Sequence, residues 1–171
     1  MEREAPHIKV HPNPIWRSRA NFIVAVKLEH PGYREQLWAR RASATRFEIC
    51  CIPLFAYDIA LGDFVETDAD YNILRVARPS GRYVFRAWFG QSDHPQDDIV
   101  EALTRLGAQT ERYSKELLAI DTADARHAQE VADFLSGHEN QGRLIYETGR
   151  QAGGPMRNRL AAALSNAWKI V

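Results

Sequence analysis

The stretch from Arg82 to Thr148 constrains the fold of this chain more than any other. RYVFRAWFG (82–90) has the β-branched and aromatic density of a strand. HPQDDIVEALTRLGA (94–108) puts Ile99, Leu103 and Leu106 at helical spacing. Its acidic residues Asp97, Asp98 and Glu101 fall at the positive N-terminal end, and Gly107 is a stop. Asp93 or His94 is placed to cap that helix, and Pro95 suits its first turn. QTERYS and ELLAID read as two strands about a tight Ser114-Lys115 corner. TADARHAQEVADFLSG (122–137) is a second helix, capped by Thr122 or Asp124 and stopped at Gly137, and RLIYET (143–148) is a last strand. The order β-α-β-β-α-β packs two helices on one face of a four-stranded antiparallel sheet, the ferredoxin-like arrangement.

Upstream the rhythm is different. NFIVAVKLE (21–29) and QLWARRAS (36–43) read as strands about the turn HPGY, and Phe47 to Ile52 as a third, ended by Pro53. GDFVET (62–67) and YNILRVARP (71–79) read as a hairpin joined by DAD. Short strands with turn signals every eight to twelve residues predict a small curled antiparallel sheet or partial barrel. Pro6, Pro12 and Pro14 punctuate residues 1–20, which reads as a mobile lead-in. After the break QAGG, Met156, Leu160, Leu164 and Trp168 recur every four residues, one apolar stripe on a short helix. The expected chain is thus α+β. A mobile lead-in (1–20) precedes a small curled antiparallel β unit (21–80). A ferredoxin-like unit (81–149) and then a flexible break with a C-terminal amphipathic helix (150–171) follow.

The net charge of zero hides a pattern. Residues 1–50 carry nine Lys/Arg against five Asp/Glu, residues 51–148 nine against seventeen, and residues 149–171 four against none. Either the basic ends fold back onto the acidic middle or extend into water, or the middle recruits a basic partner. No apolar run approaches the ~20 residues that span a bilayer. The N-terminus lacks the apolar core of a secretory signal, so a cytoplasmic protein is expected.

Several residues invite a chemical reading. FEICCIPLFAYDIALGDFVE (47–66) holds two adjacent cysteines. A thiolate needs an electropositive, exposed setting, and the neighbours Glu48, Ile49 and Ile52 supply the reverse, so Cys50 and Cys51 read as packing. His7 and His11 are four apart, but in a proline-broken segment unsuited to a helical metal pair, and no metal or cofactor is expected. Asp58, Asp63, Glu66, Asp68 and Asp70 form a carboxylate cluster open to acid–base work, although turns alone explain most of them. Arg82, Val84, Arg86 and Trp88 alternate on one face of a strand, with Arg78 just before it. They read either as an exposed arginine–aromatic strip or as partners of carboxylates across the sheet.

FEICCIPLFAYDIALGDFVE, SGRYVFRAWF and RLIYETG together resemble the bacterial family known as domain of unknown function 4265, over about Phe22 to Gly149. The resemblance implies a soluble bacterial protein and carries over no catalytic residues. The topology of 82–148 is similar to that of protein inhibitors of bacterial ribonucleases, a likeness of fold alone. The leading expectation is a non-enzymatic protein-binding module of inhibitor or immunity type, whose partner is another protein such as a basic toxin or nuclease. The helix carrying Met156, Leu160, Leu164 and Trp168 would dock on its own chain or join a homodimer. A second reading is an enzyme that uses the Asp58–Glu66 carboxylates, with Arg78 or Arg82 holding an anionic substrate. A third is nucleic-acid binding through the basic ends and the Arg82, Arg86 and Trp88 strip.

Overall fold

The structure is a computed structural model and describes residues 5–90 and 96–150. Among these the chain is α+β, with two sheets and two helices. The first sheet contains β1 (His7–Lys9), β2 (Phe22–Lys27), β3 (Tyr33–Arg41), β4 (Arg46–Ile49), β5 (Phe64–Thr67) and β6 (Ile73–Arg78). The long β3 is its spine. It pairs antiparallel with β2 along one edge, and along the other with β1 (parallel) and β4 (antiparallel). From β4 the sheet continues through β5 to β6, and a parallel bridge between Ala25 and Asn72 brings β6 back to β2. Val24, Leu37, Ala39, Phe47, Ile49 and Val65 alternate along their strands to fill the inside of this curl.

The second sheet contains β7 (Tyr83–Trp88), β8 (Gln109–Arg112), β9 (Leu117–Thr122) and β10 (Ile145–Thr148), in the order β10-β7-β9-β8, all antiparallel. Helices α1 (Asp97–Arg105) and α2 (Ala125–Asn140) cover one face, where Ile99, Leu103, Val131 and Leu135 meet Phe85, Ala87, Leu118 and Ile120. Among the described residues the predicted elements recur in order, with two differences at helix ends. Asp124 caps α2 as expected, accepting a bond from the His127 amide, but α2 runs through Gly137 to Asn140. Gly137 keeps an ordinary helical conformation, and the left-handed turn falls to Gly142 (φ 69°). Gln96 occupies the N-cap of α1 without a side-chain capping bond; the predicted caps Asp93 and His94 lie outside the described residues.

Residues 5–20 correct the expectation of a mobile lead-in. β1 pairs parallel with β3, so the sheet is mixed rather than wholly antiparallel. Beyond it His11 is buried, the Trp16 amide donates to the Cys50 carbonyl (3.1 Å), and the Asn21 amide donates to the Ala39 carbonyl (3.0 Å). The prolines punctuate a segment that the rest of the fold holds in place. The N-terminal part also reaches the acidic middle, where His11 and the Ile15 amide meet Glu111.

Candidate functional site

The two sheets meet across the 50–63 connection between β4 and β5. Cys50 to Ala56 are all buried, and Ile52, Leu54, Phe55 and Leu61 pack against Val84, Leu117 and Ala119 on the helix-free face of the second sheet. A buried irregular segment must find partners for every amide, since each orphan costs about 1–3 kcal/mol. Here carboxylates supply them. The Glu35 carboxylate accepts from the amides of Leu54 (2.7 Å), Phe55 (3.1 Å) and Ala56 (2.7 Å). Glu111 accepts from Ile15 (2.7 Å) and Ile52 (2.9 Å), and Asp63 from Ala60 (2.8 Å) and Ser80 (2.7 Å). Pro53 sits where no amide donor is needed.

Glu35 is fully buried and Glu111 nearly so, and one residue lies between them. His11 places Nε2 2.8 Å from Glu35 and Nδ1 2.7 Å from Glu111. With carboxylates on both nitrogens the ring donates twice, which only imidazolium can do. Burial opposes that charge, but the adjoining Cys51, Glu111 and Glu35 outweigh it and raise the His11 pKa to about 12. Burial would likewise raise Glu35. The hydrogen bond and charge of His11, with the Leu54 amide and the Arg86 charge, instead hold it below the usual carboxylate range.

A second buried pair adjoins the first. Arg86 donates to Glu147 (3.1 Å) and to the Ala56 carbonyl, and its guanidinium lies 4.5 Å from the centre of the Tyr57 ring. The Tyr57 hydroxyl donates to the same Glu147 oxygen (2.9 Å). Burial first, then the Glu147 charge, pushes Tyr57 up to about 12, so it remains a donor at neutral pH. Just before β7, Arg82 embraces the buried Asp121 through Nε (2.9 Å) and Nη2.

This geometry overturns the exposed reading of the β7 strip. Arg86 is 0% exposed, Val84 is buried and Trp88 half-buried, because that face packs on the 50–63 connection. The cross-sheet alternative describes Arg82 with Asp121 and Arg86 with Glu147. The carboxylate cluster does not converge either. Glu66 pairs with Arg75 on the β5–β6 hairpin, Arg78 stacks on Phe64 (4.1 Å), and Asp68 folds back on the Asp70 and Asn72 amides (2.9 and 2.8 Å). Asp58, Asp63 and Arg82 do come together, with Tyr83 and Arg150, around a half-open cavity of about 220 Å³. That is below the ~300–1,000 Å³ of most small-molecule sites. Asp58 there adopts a left-handed backbone (φ 60°), its amide held by the Gly149 carbonyl (2.8 Å).

Both cysteines are free and buried. Burial and then the Glu48 charge raise Cys50 to about 11, and burial raises Cys51, whose thiol lies against His11. Neither supplies a thiolate near neutral pH, in keeping with packing. The segment carrying Met156, Leu160, Leu164 and Trp168 lies outside the described residues. Sequence reasoning weighed His11 only as a metal ligand and passed over Glu35, Glu111, Tyr57 and Glu147. The available signal was a charge at an inward strand position: Glu35 precedes Leu37 and Ala39 in the alternation that faces the core.

The family model described as "Domain of unknown function (DUF4265)" matches residues 35–146, most of the segment that carries the buried network. The chain belongs to the DUF4265 family. Its fold is similar to a "Novel crystal structure of a hypothetical protein from Neisseria gonorrhoeae", at a TM-score of 0.65 and 19% identity, covering 77% of this chain and 96% of that one. No curated protein of known role matches it significantly. No helix among the described residues is long and apolar enough to cross a membrane.

Proposed function

We propose that this DUF4265 chain is a non-enzymatic binding module that engages a partner protein, in the manner of an inhibitor or immunity protein. The observation that carries this reading is the use already made of the groups best suited to chemistry. Glu35, Glu111 and Asp63 hold backbone amides, His11 bridges the first two, and Arg82 and Arg86 are committed to Asp121 and Glu147. These carboxylates and arginines are already engaged, with Arg86 Nε alone among their buried nitrogens left without a partner, and what remains for recognition is surface. The order β10-β7-β9-β8 supports a ferredoxin-like unit, the fold anticipated from the sequence.

The outward side of that unit is acidic. Asp97, Glu101, Asp124, Glu130 and Asp133 are exposed on or beside α1 and α2. Such a surface steers a basic protein into contact and makes the association rate sensitive to salt. Affinity capture from the native host tests the reading. A stoichiometric basic partner is expected, weakened by salt and lost with Glu101→Lys/Glu130→Lys. Capture of no stoichiometric partner at any salt, or capture indifferent to the charge reversal, would overturn it.

A further inference from the structure

We propose that the outer face of the first sheet binds single-stranded nucleic acid, a function separate from the protein partner above. Residues directly paired across an antiparallel ladder point to the same side. Arg40 pairs with Glu48, Glu48 with Phe64, and Phe64 with Arg78, so one row crosses four strands. A second row, Arg46, Glu66 and Arg75, runs beside it, and Trp38 opposes Ile23 on the same side. These alternate with the core residues Leu37, Ala39, Phe47, Ile49 and Val65, which fixes the face as the outward one.

The segment after β1 adds to this face. Arg19 reaches Glu48 (2.8 Å) and stacks 4.3 Å from the Trp16 ring, while Arg17 stacks 4.1 Å from the Trp38 ring. Six arginines thus stand on this face against two glutamates, Glu48 and Glu66, each already paired with arginine. The excess is four positive charges. It occurs within a chain of zero net charge, so charge is segregated rather than scattered.

The pattern selects the ligand. Trp16, Trp38 and Phe64 are each partly exposed beside an arginine, so flat rings and cations alternate over the sheet. A single strand offers the complement, since every base has a π face and every link a phosphate, and such contacts tolerate any sequence. An acidic peptide matches the charge but not the rings. Arginine laid on a ring is held ready for a phosphate with little further loss of side-chain freedom.

The test is fluorescence polarisation of a labelled oligothymidylate of about 20 nucleotides, longer than most single binding footprints. Four neutralised phosphates give a salt slope near −2.8, so affinity should fall about 50-fold between roughly 50 and 200 mM salt. Each of Arg17→Glu, Arg46→Glu and Arg78→Glu should weaken binding and flatten that slope by about 0.7 or more. Phe64→Ala should weaken binding with the slope unchanged, and Arg105→Glu on α1 should do nothing. The three arginines are exposed, so the variants should melt as the wild type does; for any that does not, the glutamine version serves. No binding at low salt, variants that bind like the wild type, or equal competition by polyglutamate at matched charge would each overturn the assignment.

Discussion

Replacing His11 by alanine removes the cation bonded to both Glu35 and Glu111, and its cost follows from the geometry. Glu35 and Glu111 would each lose a hydrogen bond shorter than 2.9 Å and the charge that offsets their own. Deleting one member of a buried ion pair costs roughly 3–5 kcal/mol. At about 2–4 °C per kcal/mol for a chain of this size, the melting temperature should fall by about 6–20 °C. The pH dependence identifies the cause. His11 is raised from 6.5 to about 12 on folding, so its contribution is complete below pH 6.5 and lost progressively as pH climbs towards 12. The stability gap between wild type and His11→Ala should therefore be widest near neutrality and narrow at alkaline pH, by up to about 1.4 kcal/mol per unit. Urea unfolding of both proteins at steps from pH 7 to 10.5 measures it. A gap below about 1 kcal/mol at pH 7, or one that stays constant across the range, would refute the imidazolium bridge.

Other consequences are simpler. Arg86→Met and Glu147→Met should each cost about 3–5 kcal/mol, and the double variant less than either, since no charge is then left buried alone; denaturant melts of all three close the cycle. Gly149→Ala should cost about 1–3 kcal/mol, because its Cβ would lie 2.9 Å from that of Val84, and Val84→Ala, which keeps that Cβ, should not restore the loss in the same thermal melt. Cys51→Ser should lower stability by about 1–3 kcal/mol yet leave partner capture unchanged, as expected of a thiol that only packs.

The periodic elements were legible because each is short-range. Ile99 and Leu103 at helical spacing, or Leu37 and Ala39 at strand spacing, specify an element without reference to distant sequence. The parallel pairing of β1 was not legible, since a three-residue strand among prolines has no period to read. The same holds for the buried network. His11 and Glu111 lie 100 residues apart, and no local pattern announces their meeting. Arg82 and Arg86 were visible as a pair on one strand face. Their burial was not, because it depends on which loop covers that face. Asp63 was rightly suspected of turn chemistry, and its two backbone acceptor bonds are that chemistry in a buried setting.

The 50–63 connection also sets a schedule for synthesis. Its amides at Leu54 to Ala56 find Glu35 early, but the Ile52 amide waits for Glu111 and the Asp58 amide for Gly149. A growing chain that has exposed only the first 80 residues holds the strands of its curled sheet while the connection still lacks those partners. Closure of so many long-range contacts is slow in any case. The ribosome-bound fragment should stay protease-sensitive at this connection until the strand carrying Glu147 has emerged, and then become resistant in a single step.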